Sequence, residues 1–460
     1  MKAIVPSKRP RCWYVDARVI VTFALTISIC RSASAEVTLV NGSGWEVFTD
    51  GRLGGFVSYT RGDGYPVTKL DPMTMNPLQT PFGGGITAND VNPIGDPSMP
   101  GSQPRLENMR VRSGFLGNIL GVGFRTMVAP NTRLTGYIQL WSDIESLGER
   151  KYVPMPIDVR EGYTSVEGPW GSVSIGRQLT LFSRGAAQID FLYGHGYGLG
   201  WPAAGVQSGP AAGHVGTGVL GPGFAAGAIY TSPLRGGLQI NLGIFDPVAL
   251  QGAWDRTKWV RPESEITYDA DLGTRSRIHL FVNGGYQKVY RISEPDSTSS
   301  SAYGVGYGAR VEMGPVHLGV AGHYGQGLGL SYALETTEAA YDASPLHRLR
   351  KSDGYYAQGQ LALSKVDLNA GIGIARVTPL PATTETIGGM EVIIPADGTV
   401  DTNGNRQSLI KYQLGVSAAI VYHVSPALHL DIDYFRASFR WQLGEKQDVN
   451  FVNTGMTMTW

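Results

Sequence analysis

The stretch Asp448-Val-Asn-Phe-Val-Asn-Thr-Gly-Met-Thr-Met-Thr-Trp460 decides the fold class of this chain of 460 residues. From Val452 to Trp460 every second residue is apolar apart from Thr454, and the residues between them are small or polar. Among residues 451–460, Phe451 is the single apolar intruder on the polar face. A two-residue period is that of a β-strand whose faces meet different surroundings. A strand with lipid on one face and water on the other has this pattern, with an interfacial aromatic at the end of its apolar face.

The first 35 residues predict that the protein is exported. Basic residues precede an apolar run at residues 19–30, and the small residues Ala33-Ser-Ala35 follow it. This order is typical of a cleaved secretory signal, so we expect residues 1–35 to be removed and residues 36–460 to form one mature domain. Lipid attachment at Cys30 is the alternative, but the bulky Ile29 before it disfavours that modification.

The positions of the cysteines exclude a protein held together by disulfide bonds, and the net charge disfavours a nucleic-acid-binding protein. Cys12 and Cys30 both lie in the signal segment, so the mature chain cannot rely on disulfide bonds. Removal of six basic residues and one acidic residue leaves 32 basic and 37 acidic residues, a net formal charge of −5. No nucleic-acid partner is therefore expected.

The composition favours a membrane protein built of strands. The chain has 62 glycines, 22 tyrosines and 9 tryptophans, yet the mature part has no apolar run near the ~20 residues that a spanning helix requires. A closed barrel is the other structure that satisfies every backbone polar group in hydrocarbon.

Alternating segments recur along the whole mature chain, separated by turn residues. They number sixteen and span residues 45–60, 108–128, 133–142, 163–167, 171–180, 217–230, 236–245, 263–271, 275–290, 302–312, 316–326, 354–364, 366–375, 408–422, 427–441 and 448–460. Short connections alternate with long polar ones, which is the arrangement of outer-membrane barrels. We therefore predict an all-β fold, a transmembrane antiparallel β-barrel of sixteen strands with both termini at the short-turn rim.

A secreted sandwich or propeller is the alternative fold, because it also contains many short strands. Such a fold buries its apolar face and has no need for aromatic residues at both ends of it. In the first segment, Trp45 and Tyr59 occupy opposite ends of one apolar face. The pattern favours the barrel.

Charged side chains collect on the strand faces opposite the apolar ones. Arg52 lies opposite the face of Trp45 and Tyr59, and Arg110 and Arg112 alternate with apolar neighbours. An arginine on the lipid face costs about 2–4 kcal/mol at the bilayer midplane, so we expect these three to face a water-filled lumen.

The third long connection, residues 181–216, is the candidate to narrow that lumen. Sixteen strands enclose a space too wide for side chains to fill. The connection has few charges and is rich in glycine, alanine and aromatic residues, which suits a segment folded against the inner wall. A flexible surface loop is the alternative that the composition leaves open.

Two motifs resemble the general porins of Gram-negative outer membranes. They are Arg112-Ser-Gly-Phe-Leu-Gly117 and Gly168-Pro-Trp-Gly-Ser-Val-Ser-Ile-Gly-Arg-Gln178, and the terminal aromatic Trp460 adds to them. The resemblance implies a homotrimer in contact with outer-membrane lipid and lipopolysaccharide, with a third loop that presents acidic groups to a ladder of wall arginines. On that pattern Arg112 and Arg177 match two of the arginines, Arg52 is a third basic position, and Asp190 is the loop acid.

The chain departs from the family pattern at two points. Its third long connection lacks the usual Pro-Glu-Phe-Gly-Gly stretch, and it ends in Trp where Phe is usual. Strict alternation from Val173 and Ile175 would also turn Arg177 outward, so the resemblance requires a local bulge there. With wall arginines outnumbering Asp190, we expect a weak preference for anions that fades as salt is raised.

Three functions remain to be weighed. The first is passive diffusion of small hydrophilic solutes and ions through the outer membrane, and the second is a substrate-selective porin with a binding site. The third is an outer-membrane enzyme, for which no nucleophile motif appears around the eight histidines. No cofactor or metal is expected, since the calcium-like spacing of Asp401, Asn403 and Asn405 lacks the required glycine at the next position.

Overall fold

The computed structural model describes residues 36–66, 69–70, 77–86, 105–114, 116–142, 144, 157–193, 213–248, 257–273, 275–290, 299–330, 334, 348–387, 389–394, 396 and 406–460. The predicted signal segment and the calcium-like motif of residues 401–405 lie outside them.

The described elements are β1 (Val37–Gly42), β2 (Trp45–Asp63), β3 (Lys69–Leu70), β4 (Pro77–Phe82), β5 (Arg105–Arg112), β6 (Asn118–Ala129), β7 (Thr132–Ser142), β8 (Asp158–Gly168), β9 (Gly171–Leu179), α1 (Arg184–Ile189), β10 (Phe224–Thr231), β11 (Leu238–Phe245), β12 (Arg261–Asp271), β13 (Ser276–Tyr290), β14 (Ser299–Met313), β15 (Val316–Gln326), β16 (Lys351–Leu363), β17 (Val366–Val377), β18 (Thr383–Ile387), β19 (Met390–Ile394), β20 (Arg406–Ser425), β21 (Leu428–Trp441) and β22 (Lys446–Thr459).

Sixteen wall strands close into one antiparallel barrel, which confirms the predicted fold. Neighbours in the chain pair in order from β6 to β17, then β17 pairs with β20, β20 with β21 and β21 with β22. The strand β2 closes the ring, since it pairs with β22 on one side and with β5 and β6 on the other. The chain end lies at the short-turn rim, where the Gly51 amide donates to the Trp460 carbonyl at 2.8 Å.

Side chains alternate between an exposed outer face and a buried inner face. In β11 and in β15 large apolar residues such as Leu242 and Val320 are exposed, while their neighbours in the sequence are buried. In the last strand, Phe451 points inward and packs against Phe435, with ring centroids 6.0 Å apart. The intruder of the sequence pattern is therefore part of an interior apolar cluster.

Two wall segments differ from the prediction. The second is interrupted at residues 113–117, where Gly114 has a left-handed φ of 84° and the Gly54 amide donates to Asn118 Oδ1 at 2.7 Å. The sixth begins at Phe224 rather than at residue 217, because residues 213–223 contact the opposite wall instead of continuing β10.

Part of the inner face is apolar, where a wet and charged wall was expected. Buried residues of β17 and β20–β22 form a cluster with Leu106 of β5, Trp141 of β7 and residues of several connecting segments. From the first long loop, Ile86 enters this cluster, and the Gln447 side chain donates to the Ile86 carbonyl at 2.7 Å. In the same loop β4 pairs in parallel with β20. The first loop thus fills part of the lumen, which the sequence pattern did not indicate.

Elements outside the barrel wall are few among the described residues. The strand β1 forms a hairpin with β2, and β18 pairs with β19. No helix in the described part of the chain is long and apolar enough to cross a membrane.

Candidate functional site: the passage through the barrel

Loop 3, residues 180–223, connects β9 to β10 and contains α1. Its first described part is held by inward side chains of β12 and β16. The amides of Leu181 and Phe182 both donate to Glu263 Oε2 at 2.8 Å. At the other end of α1, the Tyr356 hydroxyl donates to the Ala186 carbonyl at 2.9 Å.

The second described part of loop 3 returns along β16, β17 and β20. Asp190 joins the two parts, because its carboxylate accepts from the amides of Leu192 and His214, both at 2.8 Å. The His214 ring stacks on Tyr356 with centroids 5.0 Å apart, and Gln413 donates to the Gly216 carbonyl at 2.7 Å. His214 is fully buried, and this desolvation lowers its pKa to about 3. These contacts favour the inward-folded alternative for this loop.

Inward glycines make room for loop 3 on the wall. A Cβ at Gly371 would overlap the His214 ring, and a Cβ at Gly373 would overlap the Thr217 carbonyl oxygen. On the opposite side, a Cβ at Gly304 would overlap the ring of Phe182. Glycine at these inward positions therefore lets the loop backbone approach the wall.

A cavity in the described part of the barrel, here called the passage, lies between α1 and the wall strands β2 and β7–β10. Arg184 and Gln188 of α1 line it on the loop side. The wall side chains that line it belong to Phe48, Asp50, Arg52, Thr135, Tyr137, Gln139, Trp141, Glu161, Tyr163, Ser165, Glu167, Ser172, Ser174, Gln178, Phe224, Ile229 and Thr231.

A chain of hydrogen bonds runs along β7 at the passage surface. The Trp141 indole donates to Gln139 Oε1 at 2.6 Å, and Gln139 Nε2 donates to the Tyr137 hydroxyl at 3.0 Å. The Tyr137 hydroxyl then donates to Asp50 Oδ1 at 2.7 Å. These bonds fix the orientation of the aromatic rings that face the passage.

Arginines around the passage are engaged in ion pairs. Arg125 pairs with Glu36 and Glu46, and Arg133 pairs with Glu167 at 2.8 Å. Further ion pairs join Arg160 to Asp158 at 2.6 Å and Arg184 to Glu265. Within the described residues, Asp50 and Glu161 take part in no ion pair, although both line the passage.

The expected constriction residues fall into three groups. Arg52 and Arg112 lie on the inner face, each 7% exposed, and Arg110 shares the face of Arg112 on β5. Asp190 lies within loop 3 and binds backbone amides there. Of these residues, only Arg52 lines the passage.

The inward orientation expected for Arg177 is wrong. Arg177 is exposed on the outer face together with Ile175, which is 64% exposed. The pairings of β9 with β8 and with β10 continue without a bulge at this position, so strict alternation holds. The Arg177 side chain lies on the outer face near the end of β9, where loop 3 begins, so it does not reach the lumen.

The aromatic residues of the passage were missed at the sequence level. Tyr137, Gln139 and Trp141 alternate with Ile138 and Leu140, so the pattern already turned them inward. They were overlooked because tyrosine and tryptophan in a barrel are more often assigned to the interfacial girdles. No group of histidine, cysteine and acidic side chains in the described ranges could hold a metal ion.

Comparison with known proteins gives a family and a fold. A family model described as Gram-negative porin matches residues 107–389. The outer membrane channel DcaP of Acinetobacter baumannii superposes with a TM-score of 0.59 at 12% identity, covering 92% of this chain and 100% of that one. An anion-selective porin from Comamonas acidovorans superposes with a TM-score of 0.55 at 12% identity, covering 90% and 100%. No curated protein sequence matches the chain.

Proposed function

The chain belongs to the Gram-negative porin family and is a channel of the outer membrane, and from that premise we propose that small hydrophilic solutes and ions diffuse through it along a passage that loop 3 narrows. The observation that carries this proposal is the attachment of loop 3 to inward wall groups on both of its described parts. Charges within about a Debye length, ~10 Å at 0.1 M salt, govern which ions enter such a passage.

The sign of the weak charge selectivity follows from the side chains at the passage. The anion preference expected from wall arginines counted Arg177, which lies on the outer face. Arg184 is neutralised by Glu265, and Arg52 offsets one of the two carboxylates, Asp50 and Glu161, that have no ion pair among the described residues, so the passage keeps an excess of one negative charge. We therefore propose a weak preference for cations. The Comamonas porin named as anion-selective shares only the fold.

An enzyme is the candidate function of a different class. Among the described residues, Ser417 Oγ lies 3.4 Å from His214 Nε2, which is a contact that a nucleophile and its base would need. Within the described part of the chain, Nδ1 of His214 has no hydrogen-bond partner to orient the ring. The side chains of His214, in loop 3, and of Ser417, on the wall, are both buried. This pair is therefore part of the loop attachment and supports a channel rather than catalysis.

A homotrimer is the assembly that fits the outer surface. Gly136 and Gly162 lie on the outer face of the neighbouring strands β7 and β8, opposite Thr164 and Ile138, and a Cβ at either glycine would meet only open space. They form the floor of a concave apolar patch, called the outer patch, that is lined by Val47, Val122, Phe124, Ile138, Thr164 and Ile175. A second copy of the barrel is the occupant proposed for this patch.

Reversal potentials across a planar bilayer in a tenfold KCl gradient test the channel and its sign. The unmodified protein should give stepwise increases in conductance. The sign of its reversal potential should show that K⁺ is slightly more permeant than Cl⁻. Asp50→Asn should shift the reversal potential in the direction of higher Cl⁻ permeability, because it removes a carboxylate from the passage surface. Arg177→Ala is the matched control and should leave it unchanged. Absence of conductance would overturn the channel, and marked anion selectivity would overturn the sign.

A further inference from the structure

Two tyrosine rings and two carboxylates lie together on the passage surface. Tyr137 and Tyr163 face each other across β7 and β8, with ring centroids 5.5 Å apart. Phe48 extends this aromatic surface, since its ring stacks on Tyr137 at 6.2 Å and an interplanar angle of 12°. Asp50 accepts the Tyr137 hydroxyl, and Glu161 lies on β8 two residues before Tyr163.

Neighbouring aromatic rings already hold cations. The Arg125 guanidinium lies 3.8 Å from the Phe48 centroid, and the Arg160 guanidinium lies 4.8 Å from that of Trp141. A cation is attracted to an aromatic face by the negative charge of the π-system. In the part of the chain that the structure describes, no cation lies over Tyr137 or Tyr163, which sit between these two arginines.

Both carboxylates keep an oxygen available to a ligand. Asp50 Oδ1 accepts the Tyr137 hydroxyl, and Glu161 Oε1 accepts the Leu179 amide at 3.2 Å. The second oxygen of Glu161 accepts no hydrogen bond from the described residues, and the Asp50 carboxylate also accepts one from its own backbone amide. Neither second oxygen is sealed from solvent in the manner of the buried, unsatisfied polar atoms found elsewhere in the barrel.

We propose that the passage contains a binding site for small organic ammonium ions that carry an aromatic ring. The ring of the solute stacks on Tyr163, the more exposed of the two tyrosines, beside the buried ring of Tyr137, and its ammonium group pairs with Asp50 and Glu161. This inference rests on the proposed function and deepens it, because it assigns a solute class to the channel. An aromatic surface alone would also suit neutral rings, and the two carboxylates select the cation among them.

Three probes with the same ring and different charge test the site. Tyramine is cationic, tyrosol is neutral and 4-hydroxyphenylacetate is anionic at neutral pH. Each is added to purified protein in a planar bilayer bathed in KCl, and the concentration that halves the single-channel conductance is measured. Tyramine should act at a concentration at least about tenfold lower than 4-hydroxyphenylacetate, with tyrosol between them. The expected ratio follows from about 1 kcal/mol or more per close charge contact near water.

Variants separate the roles of charge and ring. Glu161→Gln and Asp50→Asn should each raise the half-effect concentration of tyramine about fivefold and leave that of tyrosol nearly unchanged. Tyr163→Leu should raise both, by about threefold, since the stacking of two aromatic rings contributes about 0.5–1.5 kcal/mol whatever the charge of the solute. Glu391→Gln, which makes the same chemical change on the exposed β18–β19 hairpin, is the control and should alter neither.

The outcomes distinguish this proposal from the proposed function. Equal effects of tyramine and 4-hydroxyphenylacetate on a conducting channel would overturn the site while leaving the channel intact. The site is also overturned if Glu161→Gln and Asp50→Asn both conduct normally and respond to tyramine as the unmodified protein does. A protein that forms no channel in KCl would overturn the proposed function first.

Discussion

Glycine at inward positions of β17 is what allows the return part of loop 3 to lie against the wall. Gly371 and Gly373 alternate with Ile372 and Ile374, so the strand keeps an apolar outer face while its inner face has no side chains at the loop contact. The high glycine content of the chain thus has a structural cause at these positions.

Gly373→Ala tests this cause directly. The added methyl group would overlap the Thr217 carbonyl oxygen, and a backbone atom cannot move aside as a flexible side chain does. We expect a loss of about 1–3 kcal/mol, as for other overpacked sites. Thermal unfolding should show a lower Tm, and the single-channel conductance should change because the loop is displaced. Gly359→Ala, which brings a Cβ only into ordinary contact on the outer face of β16, should match the unmodified protein.

Burial of His214 predicts that loop 3 loosens in acid. Its pKa is about 3 in the folded chain, below the ordinary value of 6.5. Between pH 6.5 and 3 the unfolded segment therefore binds a proton that the folded segment does not. Stability is unaffected above this window and falls as the pH is lowered through it, by up to about 1.4 kcal/mol per pH unit.

Hydrogen exchange of residues 213–220 at pH 7, 5 and 4 measures this effect. The contacting groups include the Asp190 carboxylate and the Tyr356 ring, so the variant must keep an aromatic ring at position 214. His214→Phe should exchange at rates that depend less on pH than those of the unmodified protein. An identical pH dependence in both proteins would contradict the assignment to His214.

The alternation of side chains along each strand made it possible to predict which wall residues face the lumen. It placed Arg52, Arg110 and Arg112 on the inner face, where the structure also has them. At Arg177 alternation was also correct, and the prediction was wrong because the family resemblance was allowed to override it. The contact of Asp190 with the His214 amide could not be read from the sequence, because it joins residues 24 positions apart within one loop.

At the level of elements, the wall strands were predictable and the loops were not. The segment 316–326 coincides with β15, and most other predicted wall segments differ by a few residues at each end. The two-residue period encodes the wall because every strand meets lipid-facing and inward surroundings in turn. In loop 3, α1 has no such period, since its position depends on wall groups far away in the chain. Gln413 and Gly216, for example, are 197 residues apart.

The start of loop 3 depends on a single carboxylate, which yields a prediction for the whole element. Glu263 Oε2 accepts from two loop amides, and Oε1 pairs with Arg261 Nε at 2.8 Å. Glu263→Gln keeps the shape but loses the charge, so we expect about 1–3 kcal/mol less stabilisation of these bonds. Hydrogen exchange of the Leu181 and Phe182 amides should accelerate.

A matched variant shows whether the effect is local. Glu167→Gln removes a carboxylate that pairs with Arg133 on the wall, away from the amides of loop 3. Exchange at Leu181 and Phe182 should be the same as in the unmodified protein. If both variants accelerate exchange equally, the loss of charge acts on the barrel as a whole, and the attachment by Glu263 is not the cause.

On the scale of the molecule, the two sides of the barrel interior serve different purposes. Buried apolar residues of β17 and β20–β22 pack with the first long loop and with loop 3, and this cluster extends to Trp141 at the edge of the passage. The other side, along β2 and β7–β10, carries the hydrogen-bonded aromatic and acidic residues of the passage. The path that we propose for solutes therefore follows the wall of β7 and β8.

The outer patch lies on the back of this same wall, which predicts where the copies of a trimer meet. Its glycine floor admits side chains of a neighbouring barrel, so a bulky group there should prevent close approach. Gly162→Trp is expected to shift the protein in detergent from trimer to monomer, as measured by size-exclusion chromatography with light scattering. Gly359→Trp places the same ring on the outer face of β16, outside the patch, and should leave a trimer. A monomeric unmodified protein would contradict the assembly, and a trimeric Gly162→Trp would contradict the surface.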